Sequence, residues 1–303
     1  MEGSVRKSDE QIRITAQLID ATTGNHLWAE RYDRNLSDIF ALQDEITKKI
    51  ITAMQVKLTE GEQVRAAAKG TNNLEAYLKY LQAHELINRF NIESIALGKQ
   101  LAEEAITLDP EYASAYFALG KTHELDAWLG SSKSPKASIA KAMELVQKAI
   151  VLDDTYAEAH ALLGYLFSMT RQHDKAVALG EKAVTLNPNS AESHMRYGKI
   201  LTFAGRYEES IPELKKAIRL NPIPPNLYLY SLGISYCWTG QYEEAITWCE
   251  KAVSREPNSF FARLFMASTY SFAGRDEEAR AEAAEALRIN PKFSLKKWEK
   301  RVT

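Results

Sequence analysis

Cysteine is scarce in this chain, with only Cys237 and Cys249 among 303 residues. They lie 12 apart, close enough to approach each other, or to stand as two reduced, buried thiols of a cytosolic protein. Charge of one sign is also missing: 38 Lys and Arg face 40 Asp and Glu, for a net of −2. Such balance argues against a nucleic-acid or anionic-membrane surface. No apolar run is long enough to span a bilayer; the longest, around Ala159 to Met169, is interrupted by Gly164. The opening MEGSVRKSDEQ lacks the apolar core of a signal peptide, so a cytoplasmic location is expected. HExxH, CxxC, phosphate-binding glycine loops and nucleophile elbows are all absent. No catalytic residue, metal or cofactor is therefore expected.

What is present falls into two textures. In the first, Ile12, Ile14, Ala16 and Leu18 alternate with polar residues, the period of a half-buried strand. Thr22 to Asn25 is a turn signal. A second strand follows, with Leu27, Ala29 and Arg31 on one face and Trp28, Glu30 and Tyr32 on the other. Gly3 to Lys7 reads as a short strand before both. Ile39, Leu42, Ile46, Ile50 and Ala53 then recur every three or four residues, an amphipathic helix that Ser37 is placed to cap. Residues 1–59 thus predict a small β-β-β-α unit, too small to be stable on its own core. Residues 60–72 read as a linker, and residues 73–303 as a separate helical array.

The array has a beat. Gly164, Gly198 and Gly233 are 34 and 35 residues apart, and Pro188, Pro222, Pro257 and Pro291 are 34, 35 and 34 apart. A period near 34 means one helix pair copied end to end. One copy reads His160, Leu163, Gly164, Phe167, Ala176, Gly180, Ala183, Pro188; the next reads His194, Tyr197, Gly198, Leu201, Ser210, Leu214, Ala217, Pro222. Two more follow, and two less regular copies precede them. One of these has Asp154 in the proline slot and ten extra residues between Gly120 and Ala142. The small residue of the first helix lets the second approach, the alanines of the second let the next unit pack, and proline stops the second helix.

These residues resemble the tetratricopeptide repeat family, W-x2-L-G-x2-Y, then A-x3-F, A and P. The resemblance implies an α-solenoid of about six repeats. It also implies a protein-binding scaffold whose concave groove is lined by the first helix of each repeat, at its second, fifth, ninth, twelfth and thirteenth positions. Carried onto this chain, those positions include Phe117, Lys121, Glu124, Tyr165, Met169, Met195, Lys199, Phe203, Tyr230, Trp238, Phe261, Leu264 and Phe272. The lining is rich in aromatics and methionine, which suits an apolar or amphipathic segment of a protein or peptide partner. The family's carboxylate clamp needs several Lys, Arg and Asn; here only Lys121 and Lys199 are basic. Rings that pack on one another, on the N-terminal unit or on a further C-terminal helix are the alternative reading. The insertion, Leu125 to Lys136, reads either as a lip on the groove or as a surface loop tacked down by Trp128.

The first 58 residues are similar to the end of a TolB-like amino-terminal domain. Such domains precede tetratricopeptide repeats in bacterial signalling proteins, some with a class III nucleotide cyclase domain. That resemblance implies the alternative function: a regulatory, non-catalytic portion of a larger signalling enzyme. The unpaired strand edge of an incomplete unit implies either edge pairing between copies, giving a homo-oligomer, or disorder. His160 and His194 hold the same slot 34 residues apart. They read as a paired metal site, or as replaced aromatics that each satisfy one ring nitrogen.

Overall fold

The computed structural model describes residues 2–8, 11–19, 26–35, 70–221 and 223–295. The turn expected at Thr22–Asn25 and the helix expected over Ile39–Ala53 with its Ser37 cap lie outside the described residues. So do most of the linker and residues 296–303. The chain divides into two compact units, residues 1–72 and 73–303.

In the first unit, β1 (Glu2–Ser8), β2 (Gln11–Ile19) and β3 (His26–Asn35) form an antiparallel sheet in the order β1-β2-β3. Ile14 of β2 sits opposite Val5 and Tyr32, so all three share one face. Ile12, Ala16 and Tyr32 are buried there, while Ala29 and Arg31 of β3 are exposed. The alternation left both faces of β3 open; burial selects the Tyr32 face.

The second unit is an α-solenoid of six helix pairs. Its helices are α1 (Leu74–Ile87), α2 (Ile92–Leu108), α3 (Ala113–Leu129), α4 (Pro135–Leu152), α5 (Ala157–Met169) and α6 (His173–Leu186). They continue as α7 (Ala191–Phe203), α8 (Tyr207–Leu220), α9 (Asn226–Trp238), α10 (Tyr242–Arg255), α11 (Phe260–Phe272) and α12 (Asp276–Ile289). Each odd helix packs on the even helix after it, and consecutive pairs pack on each other. The glycine slot needs its glycine for space. A methyl at Gly198 would stand 2.6 Å from Leu214 Cγ, and one at Gly164 would stand 2.9 Å from the Ala176 carbonyl oxygen. Ala183, Ala217 and Ala252, the small residues of the even helices, are fully buried.

Proline is not the only stop. The residue after four even helices is Asp or Asn, and its side chain accepts the backbone N–H two residues on: Asp109 from Glu111, Asp153 from Thr155, Asn187 from Asn189 and Asn221 from Ile223. These local turns compete with a further helical turn. They explain why α4 ends on schedule although Asp154 replaces the proline.

A candidate binding surface on the odd helices

The odd helices carry the expected lining, but its fate changes along the array. At the fifth position Phe117 and Met195 are buried, and at the ninth Tyr165 is fully buried. Met169, Lys199, Tyr230, Phe261 and Leu264 are partly buried. At the thirteenth position Leu125 is buried, whereas Phe203 is 39% exposed and Trp238 and Phe272 are each 53% exposed. The open rings of the fifth and sixth repeats form a row with Tyr207. Trp238 stacks on Tyr207 at 5.6 Å and meets Phe272 at 5.5 Å; Phe203 meets Tyr165 at 5.9 Å.

The buried stretch is built on charge as well as apolar groups. Lys121, Glu124 and Trp128 share one face of α3, spaced i, i+3, i+7; Glu192, Arg196 and Lys199 share one face of α7, spaced i, i+4, i+7. The two faces pair in order. Lys121 Nζ donates to Glu192 Oε1 at 3.1 Å, and Arg196 donates to both oxygens of Glu124 at 3.2 and 3.1 Å. Lys199 Nζ lies 5.3 Å from the Trp128 ring centroid. Arg196 Nε also donates to Glu192 at 3.1 Å, closing the network. Helices two repeats apart are therefore joined across α5, whose Ala161 is small and fully buried.

Burial by itself would raise the Glu192 carboxyl, but Lys121 and Arg196 outweigh it and hold that group at about 2. Lys199 is the odd cation. Its Nζ donates to the Tyr165 hydroxyl at 3.0 Å and sits 4.3 Å above that ring. Burial lowers its amine to about 7; Glu124 opposes the shift and Arg196 adds to it.

Arg196 was not legible as part of this surface, because it stands one residue beyond the fifth position. The i, i+4 spacing of Glu192 and Arg196 was its one signal. Trp128 was legible as an insertion residue, but not its target. Its ring meets Phe261 of the sixth repeat edge-on at 5.9 Å. This contact is possible because α3 runs 17 residues where α5, α7, α9 and α11 run 13.

The two slot histidines are packing residues. His160 Nε2 faces the Asp154 carbonyl at 2.8 Å, and His194 Nε2 faces the Pro188 carbonyl at 3.0 Å. Arg263, in the same slot, donates to the Pro257 carbonyl at 3.1 Å. In these three repeats the slot thus fastens the repeat to the loop before it. His194 and Arg263 each also reach a glutamate 19 residues on, Glu213 and Glu282. No cluster of three or more potential metal ligands occurs among the described residues. Cys237 and Cys249 are free and buried, and burial pushes the Cys249 thiol up to about 12. Among the described residues no helix is long and apolar enough to cross a membrane.

Helix pairs of this length, period and packing define a helical-repeat solenoid. Residues 157–190, 191–224, 227–259 and 262–293 each match the Tetratricopeptide repeat family, so the third to sixth pairs are tetratricopeptide repeats. The solved structure of the APC/C hetero-tetramer Cut9-Hcn1 is similar over 75% of this chain and 46% of that one, with a TM-score of 0.58 and 16% identity. TTC0263, a thermophilic TPR protein in Thermus thermophilus, is similar over 63% of this chain and 98% of that one, with a TM-score of 0.50 and 18% identity. At these identities the likeness concerns the fold. A relative from Rhizobium meliloti (strain 1021), named "Putative adenylate cyclase 3", is 43% identical over 135 residues. The match takes 44% of this chain and spans 23% of that protein's length.

Proposed function

We propose that the array is a non-enzymatic protein-interaction scaffold that takes an apolar or amphipathic segment of a protein or peptide partner. The observation that supports it is the row formed by Tyr207, Trp238 and Phe272 on successive repeats. Burying one large ring gains roughly 1.5–3 kcal/mol, and this row leaves much of that gain unused in water. Contiguous exposed apolar surface marks interaction sites, and aromatic anchors carry much of interface energy. An acidic tail is disfavoured, since Lys121 and Arg196 already hold carboxylates. The test is selection of phage-displayed peptides on the chain, with Trp238→Ala as the control. Selected peptides should be apolar or amphipathic and bind the variant at least about tenfold more weakly, the loss of one anchor. Equal binding to both proteins overturns the assignment.

A second reading, favoured by the Rhizobium meliloti relative, makes this chain a regulatory, non-catalytic portion of a larger signalling protein such as a nucleotide cyclase. Reading the gene upstream of codon 1 for a catalytic domain distinguishes the two. Pairing of the outer strands β1 or β3 between copies would give a homo-oligomer in either case. Light scattering should then show a larger assembly for the full chain than for one lacking residues 1–60; equal stoichiometry argues against it.

A further inference from the structure

Trp128 occupies a defined seat. Its indole N–H donates to the Tyr165 hydroxyl oxygen, Lys199 lies over one face, Phe261 meets it edge-on, and it packs with Met169 against the Tyr165–Ile200 cluster. Three different repeats build these walls, and the residue that fills them comes from a fourth. Phe203, an exposed ring, meets Tyr165, so one wall of the seat reaches open surface.

The piece that carries Trp128 is the part of α3 that no other odd helix has. It ends at Gly130, with φ 78°, in the left-handed region glycine tolerates. Beyond it Gly130, Ser131, Lys133 and Ser134 are exposed, and the last turn is tied down by Ser131 Oγ donating to Asp126 Oδ1 at 2.6 Å. Helix ends open at far lower free energy than the packed interior. Releasing the ring therefore means loosening one terminal turn, while Lys121 and Glu124 keep their partners nearer the middle of the helix. The ring is only partly buried, so the seat has an open side.

We propose that Trp128 is an internal occupant of an aromatic-accepting seat on the odd-helix surface, and that a partner segment carrying an indole or phenyl side chain binds by displacing it. The proposal rests on the reading above that this surface takes an apolar or amphipathic segment. It adds the anchor chemistry and makes the free array self-occupied. A partner then gains the seat and also loosens the tie between the second repeat and the sixth.

The experiment uses the full chain and free indole. Trp128→Ala, checked for native helix content by circular dichroism, should bind indole saturably, with a rise in Tm that recovers part of the loss caused by the substitution. Adding Phe261→Ala to that variant should abolish the response and so locate the site. In wild type labelled with 5-fluorotryptophan, the Trp128 resonance, assigned by Trp128→Phe, should move towards its solvent-exposed position as indole is added. A folded Trp128→Ala that shows no saturable indole response overturns the seat. A Trp128 resonance unmoved by saturating indole overturns displacement, and it needs no cavity variant. Failed peptide selection with a positive indole response removes the docking reading and leaves the seat.

Discussion

The second and fourth repeats pair buried charges of their odd helices, while the fifth and sixth show rings to water. The same thirteenth position holds a buried Leu125 at one end and a half-exposed Trp238 and Phe272 at the other. Repeat position alone does not set exposure; what stands across from it does. On the buried side, α3 and α7 meet through Lys121–Glu192 and Glu124–Arg196. On the open side no such pairing closes over the rings among the described residues.

Four substitutions or conditions test that contrast. The largest effect is expected from Arg196→Met, which takes the buried Glu124's guanidinium partner away and leaves Glu192 with Lys121 alone. It should lower stability by about 3–5 kcal/mol in urea unfolding, the cost of breaking a buried pair on one side. A loss no greater than that of an exposed ion pair would mean the network does not join the repeats. In the wild type, Glu192's contribution is present above the ordinary carboxyl value of 4.5 and is lost as pH falls towards 2.

Gly198→Leu comes next. It places a branched side chain against Leu214 and should cost about 1–3 kcal/mol by overpacking. Unchanged thermal stability would refute the assigned register.

The third test is pH. Below pH 7 Lys199 is charged in folded and unfolded chains alike, and the cost of burying its charge is felt in full. Between about 7 and the ordinary 10.5 only the folded chain has released the proton, so stability rises with pH over that window. Lys199→Met should thus be most favourable relative to wild type at the acidic end, and its advantage should shrink as pH rises. A constant difference in Tm would show that the amine is not buried with its charge.

The smallest stability effect is expected from Trp238→Ala. Its ring is half exposed, so the change should stay within roughly 0.5 kcal/mol even while partner binding falls. A drop of several kcal/mol would place Trp238 in the core and move the boundary between the two regions.

Much of this was legible. The strands, the six pairs and the glycine and alanine slots follow from period and residue size, and the tetratricopeptide resemblance implied the lining positions. The structure adds that helix ends are set by Asp and Asn turns as well as by proline. Burial of the lining was not legible, because it depends on residues 71, 72 and 133 positions away. The insertion between Gly120 and Ala142 marked where the repeat departs from its pattern, but not that its helical part would reach the sixth repeat.

By itself, the sequence determined the local elements. A 34-residue period in small, large and turn-forming residues can be met only by stacked helix pairs, because each slot is filled by a neighbour near in the chain. The tertiary structure alone decided which parts of the resulting surface are occupied. The twist of the stack brings α3, α7 and α11 together, and only then do Lys121, Glu124 and Trp128 find Glu192, Arg196, Lys199 and Phe261. Those contacts depend on the accumulated geometry of several repeats, which no single repeat encodes.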